Sequence, residues 1–306
     1  MQQNFNRNEQ NSRPTTMYKR IFQGIVDLAG MVICFVAFGL VYGTLEPKIR
    51  YYTCDMSDIS FPFMPDTVPF WAVGIYGVAG PLLIILLVEL LNAKIYPFQN
   101  TNGEPFLSRL RSFGIYLFHA VSLFVFGISI VLLLTEIGKR WIGRFRPYFL
   151  DVCKPDFTKI DCVTNGLTGT IYKSINTGGN FCSGNSADIK EARLSFPSGH
   201  ASFSSYTMLF LIIYLEARLF LVRFRYLKAL IQLSAFIAAF TTGISRISDY
   251  HHRGSDVIGG VVLGSVVAIF ITNVIGKILW IVDDITYYDF DDKNNYRSRT
   301  TFGPRN

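Results

Sequence analysis

The amino-acid sequence predicts an all-α integral membrane protein with six transmembrane helices and both termini cytoplasmic. Three observations carry that expectation. Half of the 306 residues are hydrophobic, and mean hydropathy is positive. The apolar residues gather in six runs with few charges, about 21–43, 69–91, 113–138, 202–222, 227–244 and 257–281, each near the roughly 20 residues that cross a bilayer as a helix. Lys and Arg crowd the short segments of one side. A soluble chain of this length would instead suggest two domains.

Residues 1–17 are rich in Asn, Gln and Arg and predict a disordered cytoplasmic tail. The first run is too long, behind too polar a leader, for a cleaved signal peptide. Asp27 lies near its cytoplasmic end, where a carboxylate reaches water; Glu89, Glu216 and Arg218 are expected to do the same. Residues 44–68 form an outer loop with Cys54, prolines and aromatics. Pro81 should bend the second helix. His119, in the third, is read as a helix-contact residue. Residues 148–195 make a polar outer segment, and 282–306 a second cytoplasmic tail, leaving 18–281 as one membrane domain.

Orientation follows from basic residues in the short loops. Arg7, Arg13, Lys19 and Arg20 precede the first run; Lys94, Arg109 and Arg111 follow the second; Arg218, Arg223, Arg225 and Lys228 join the fourth to the fifth. The opposite side has only Lys48, Arg50, Arg246 and Arg253 in its short loops. Cys34 is expected as inert packing. Cys54, Cys153, Cys162 and Cys182 fall in outer segments, where disulfides form, with the pairing open. The net charge of +7 suits nucleic acid, anionic lipid or an anionic substrate. Membrane helices and the lack of any nucleic-acid-binding motif argue against the first.

Three polar stretches stand beside these helices. The basic run 139–147 contains Lys139, Arg140, Arg144 and Arg146. On the cytoplasmic side such a run meets anionic lipid headgroups; on the outer side a phosphate pocket fits better. Pro197-Ser198-Gly199-His200 opens the fourth helix, where free backbone N–H groups bind anions, although Ser198 could be only an N-cap. Residues 243–256 hold Arg246, His252 and Asp256. The four-residue spacing of His252 and Asp256 predicts stacking on one helix face, and a carboxylate beneath an imidazole raises its basicity. The parity of the helices puts all three stretches on one membrane face.

Together these stretches resemble the signature of the type 2 phosphatidic acid phosphatase superfamily: Lys, six residues, Arg-Pro; Pro-Ser-Gly-His; and Ser-Arg, five residues, His, three residues, Asp. Every position matches, as Lys139 to Arg146-Pro147, Pro197 to His200, and Ser245-Arg246 through His252 to Asp256. Six runs and a Cys-bearing third loop are similar to the animal lipid phosphate phosphatase branch, over residues 18–281. One departure is the absence of an Asn-x-Ser/Thr glycosylation site from the predicted outer loops.

The resemblance implies a metal-independent phosphoric monoester hydrolase acting on phosphatidate, lysophosphatidate, ceramide 1-phosphate and sphingosine 1-phosphate at the extracellular or lumenal face. His252 would be the nucleophile, Asp256 its partner, and His200 the acid and then the base. Lys139, Arg146, Ser198, Gly199 and Arg246 would hold the phosphoryl oxygens. No cofactor is expected, because three cations and a helix N-terminus replace Mg²⁺. His251, with Ser255 four residues on, is assigned to the second shell or the surface. The plasma membrane is favoured, with internal membranes as the alternative, and homo-oligomers are suggested by the resemblance alone. A sugar-phosphate or polyprenyl-diphosphate phosphatase of the same fold, and a non-catalytic lipid-binding relative, are the competing functions. A channel or carrier would carry charges along a path through its helices, which this sequence lacks.

Overall fold

The computed structural model describes residues 13–48, 51–52, 57–95, 106–156, 172–173, 182–219 and 225–276. Cys54, Cys162, the tail 1–12 and the tail 282–306 lie outside the described residues. In chain order the helices are α1 (Arg13–Thr44), α2 (Phe70–Gly74), α3 (Gly80–Ile95), α4 (Phe106–Ile142), α5 (Phe149–Cys153), α6 (Ser186–Glu191), α7 (Gly199–Arg218), α8 (Arg225–Ser248) and α9 (Gly254–Ile269). Strands β1 (Tyr51–Tyr52) and β2 (Tyr172–Lys173) pair antiparallel.

α1 takes in residues 13–17, assigned above to the tail; Pro14 is tolerated in its first turn because a first-turn N–H has no helical partner. α2 and α3 are joined by the π-helical turn Ile75–Ala79. Pro81 cannot donate to the carbonyl four residues back, so the turn widens where the sequence predicted a bend. α4 runs past Lys139 to Ile142, which leaves Lys139 and Arg140 in its last turn. α9 continues as the π-helical Phe270–Ile275.

Among the described residues, five helices are long and apolar enough to cross a membrane: Gly24–Thr44, Phe70–Asn92, Phe113–Ile142, Arg225–Ser248 and Gly254–Ile275. Of the remaining predicted run, 202–222, residues 202–218 lie in α7, whose Ser202, Ser204, Ser205 and Thr207 are buried. α7 packs against α9, α8, α4 and α3. A helix surrounded by others needs no apolar outer face, so α7 accommodates these hydroxyls. α7 and α9 meet backbone to backbone. A Cβ on Gly264 would lie 2.2 Å from the Ser202 carbonyl oxygen, and one on Gly260 would lie 2.6 Å from that of Ser198. Close approach at Gly260 and Gly264 thus seats α9 on the start of α7.

A second apolar cluster caps the bundle at that end. It comprises Ile59, Phe145, Tyr148, Phe149, Cys153, Ile189 and Ala192. Cys153 of this cluster forms a disulfide with Cys182, resolving one pair among the four cysteines expected outside. Cys34, in α1, is a free thiol.

Candidate active site

Backbone contacts bring the three polar stretches together. Gly143 follows α4 in the left-handed region (φ 59°), and a Cβ there would lie 2.3 Å from the Lys48 carbonyl oxygen. The helix therefore stops, and 144–146 turns across the bundle. The Arg146 N–H donates to the Ala192 carbonyl (2.7 Å) and the Ser195 N–H to that of Arg144 (3.0 Å). The Ser198 N–H donates to the Asp256 carbonyl (3.0 Å), and the His252 N–H to that of Arg246 (3.0 Å).

His252 and Asp256 do not share a helix as their spacing predicted. Tyr250 is left-handed (φ 57°), and α9 starts at Gly254. His252 thus belongs to the turn and Asp256 to the first turn of α9. Ser195 lies between them. Its Oγ is 2.6 Å from Asp256 Oδ2 and 3.4 Å from His252 Nδ1. A hydroxyl that donates to the carboxylate offers its lone pair to Nδ1–H, which leaves the lone pair of the imidazole on Nε2. Asp256 is held on both oxygens, by Arg144 at 2.7 Å and by the Arg253 N–H at 3.0 Å. Burial, followed by the charges of Arg146 and Lys139, pushes His252 well below its ordinary value, so it is neutral and available as a nucleophile at physiological pH.

The start of α7 faces His252 with polar atoms that lack partners. Ser198 is the N-cap but makes no side-chain cap hydrogen bond. Its Oγ and His200 Nε2 are buried and unpaired among the described residues. Lys139 Nζ lies 3.3 Å from where a Cβ on Gly199 would stand, so a side chain there would crowd the lysine. Burial, then Arg246, lowers His200 to about 3, with Arg146 and Lys139 adding to the effect.

Each predicted phosphate-holding cation has a carboxylate at hand. Lys139 pairs with Glu136 at 2.9 Å. Arg146 donates to Glu191 and, at 2.9 Å, to the Tyr148 hydroxyl. Arg246, 1% exposed, pairs with Asp66 and Asp249. All eight predicted residues thus gather at one end of the bundle. Arg140 leaves the basic run: it donates to the carbonyls of Tyr42 and Leu45 and ties α4 to the end of α1. His251 is buried, not superficial; its Nε2 lies 3.0 Å from the Met64 carbonyl oxygen and its Nδ1 3.4 Å from Arg146. Ser195, Arg144 and Asp66 went unpredicted. Arg144 stood inside the basic run, and Ser195 stood two residues before Pro197; Asp66 had no signal in the outer loop. Among the described residues, no three His, Cys, Asp or Glu side chains converge as a metal site.

Comparison with known proteins places this geometry in context. A family profile described as the PAP2 superfamily matches residues 120–280. Phospholipid phosphatase 1 of Rattus norvegicus is 35% identical over 274 residues, covering 88% of this chain and 90% of that protein. Phospholipid phosphatase 2 of Homo sapiens is 31% identical over 252 residues, covering 82% of each. A solved transmembrane PAP2-type phosphatidylglycerolphosphate phosphatase from Bacillus subtilis covers 66% of this chain and is covered over 98% of its own length, at 18% identity and a TM-score of 0.32.

Proposed function

The chain belongs to the PAP2 superfamily, and on that premise we propose that it is a membrane phosphatase removing the phosphate monoester from lipids through a phosphohistidine on His252. The observation that carries this reading is the pair of buried, unpartnered polar atoms, Ser198 Oγ and His200 Nε2, at the opening of α7, where Lys139 Nζ stands beside Gly199. Buried polar groups are ordinarily paired, so these two await a ligand that accepts and donates hydrogen bonds. The surrounding cations make that ligand an anion.

The chemistry then assigns itself to the residues. His252 Nε2 forms the bond to phosphorus as the bond to the lipid oxygen breaks, and His200 gives its proton to the departing alkoxide. Before substrate binds, burial, and then Arg246, Arg146 and Lys139, keep the proton off His200. The charge of the arriving phosphate offsets these cations, so His200 takes up a proton as substrate binds. In the second half His200 removes a proton from water, the oxygen bonds to phosphorus, and the nitrogen–phosphorus bond breaks. Lys139, Arg146, Arg246, Ser198 and the Gly199 N–H stabilise the charge that builds on the phosphoryl oxygens. Asp256 orients the nucleophile through Ser195. No metal takes part in this scheme.

Phosphatidate, lysophosphatidate, ceramide 1-phosphate and sphingosine 1-phosphate are the substrate class, met at the outer surface of the plasma membrane. The run 202–222 is the fourth of six crossings in a domain spanning 18–281, with 1–17 and 282–306 as cytoplasmic tails. The Cys153–Cys182 disulfide near the site supports an extracellular or lumenal face, because disulfides persist in oxidising compartments. The test is phosphate release from phosphatidate in mixed micelles containing EDTA, beside His252→Ala. Release by the parent alone is expected. Release that survives in the variant would assign the nucleophile elsewhere, and release abolished by EDTA would bring in a metal.

A further inference from the structure

Arg246 is fixed on one edge and engaged differently on the other. Nη2 donates to the Val68 carbonyl at 3.1 Å and to Asp249 at 3.0 Å, while Nε lies 3.3 Å from Ser245 Oγ. Asp249 is itself locked by the N–H and hydroxyl of Thr67, at 2.8 and 2.6 Å. None of these bonds involves Asp66. The remaining corner, Nη1, donates to Asp66 Oδ1 at 2.5 Å. Asp66 also lies 3.3 Å from His251 Nε2, and its side chain is 36% exposed.

We propose that Asp66 is the resident counter-ion of the phosphate site, holding the corner of Arg246 that a phosphoryl oxygen must take and swinging to solvent each time substrate enters. The inference rests on the phosphate-site reading above. A carboxylate and a phosphate present similar oxygen pairs to a guanidinium, and they compete for the same donors. Asp66 is ionised and able to compete: burial pushes its carboxyl up, but Arg246 outweighs this and holds it below the ordinary range. Its charge is also felt at His200, where it favours the protonated ring. The arriving phosphate restores that influence, so the exchange costs His200 nothing.

The backbone around Asp66 has no need to move. The Phe61 N–H donates to the Pro147 carbonyl at 3.0 Å, the Phe63 N–H to Asp151 at 2.8 Å, and Thr67 holds Asp249. Arg253 pairs with Asp58 at 2.6 Å. With the segment pinned on both sides, a rotation of the Asp66 side chain alone opens Nη1. His251 keeps its contact with the Met64 carbonyl when Asp66 leaves.

Asp66 is thus a positioning residue that lowers affinity for phosphate, substrate and product alike. The test uses the full chain in detergent micelles. Binding of inorganic phosphate is measured by calorimetry, and KM and kcat with phosphatidate, for the parent, Asp66→Asn, Asp66→Ser and Arg246→Ala, with melting temperatures read in parallel. Both Asp66 variants are expected to bind phosphate about three- to tenfold more tightly, the release of one partly exposed charged contact, and to lower KM more than they change kcat. A purely structural Asp66 would do the reverse, raising KM or weakening phosphate. Unchanged or weaker binding in both folded Asp66 variants overturns the proposal. If Arg246→Ala still abolishes binding in that case, the phosphate site itself stands. If neither the parent nor any variant binds phosphate saturably, the site and the counter-ion fall together.

Discussion

At its last turn α7 packs Arg218 against a buried Glu89, whereas at its opening it buries Ser198 Oγ and His200 Nε2 with no hydrogen-bond partner among the described residues. The inner pair is saturated. Glu89 Oε1 accepts from the Tyr214 hydroxyl at 2.6 Å and from Arg218 Nε at 3.0 Å, and Oε2 accepts from Arg218 Nη2 at 2.9 Å. The Arg218 guanidinium covers the Tyr116 ring at 5.0 Å, and Asn92 donates to the Arg218 carbonyl at 3.1 Å. Glu89 is 3% exposed, so it does not reach water as its position near a helix end suggested. The outer end leaves Ser198 Oγ and His200 Nε2 open. Burial of polar groups is common to both ends. What separates a staple from a site is whether the hydrogen bonds close without a ligand.

The largest expected effect is at the open end. His252→Ala should reduce phosphate release from phosphatidate by more than about 10³-fold, because it removes the proposed nucleophile. Retained folding is checked by the melting temperature. Loss of release with an unchanged melting temperature marks a functional residue, and loss of both would make the outer end a staple as well.

Ser195→Ala probes how Asp256 reaches the nucleophile. With Ser195 interposed at 2.6 and 3.4 Å, its removal should lower kcat about tenfold, the scale of a lost orienting contact, with KM little changed. An unaltered kcat would mean that Asp256 contacts His252 directly when substrate is bound.

Acid should loosen the outer end. His252 and His200 are depressed in the folded protein, so below the ordinary imidazole value of about 6.5 the unfolded chain binds more protons than the folded one. Stability is then fully present above about pH 6.5 and falls as pH drops, by about 1.4 kcal/mol per unit for each histidine until its folded value is reached. The melting temperature followed from pH 7.5 to 5 checks this, and His200→Asn should shallow the slope. A flat profile would show that neither ring is held neutral.

The sequence made the chemistry legible further than the geometry. The three stretches announced themselves because phosphate chemistry demands charged and nucleophilic types beside apolar helices, and parity put them at one end. The placement of Lys139, Ser198 and His200 about one helix opening follows from local signals. The break between His252 and Asp256 does not, because the left-handed Tyr250 is a tertiary outcome that a spacing of four cannot reveal. Asp66 was illegible for a related reason: it lies 180 residues from its partner Arg246, in a loop without periodicity. Glu89 and Arg218 were misread because apolar surroundings in sequence do not say which helix supplies the counter-charge. The polar α7 was legible as a helix, but its central position appears only once Gly260 and Gly264 bring α9 against it.

The sharpest way to break the comparison is at the closed end. Glu89→Gln keeps the shape and one acceptor for Tyr214 but leaves the Arg218 charge without its carboxylate. Removing one partner of a buried pair strands the other, at a cost of about 3 kcal/mol, so the melting temperature should fall markedly. Activity below the melting transition should stay within about a factor of two, because Glu89 meets α7 near Arg218, about 27 Å from His200 at 1.5 Å per residue. Glu89→Gln combined with Arg218→Met removes both charges and should recover much of the lost stability. A variant that melted normally yet lost phosphate release would place a working group at Glu89. Saturated hydrogen bonding would then no longer distinguish a staple from a site in this bundle.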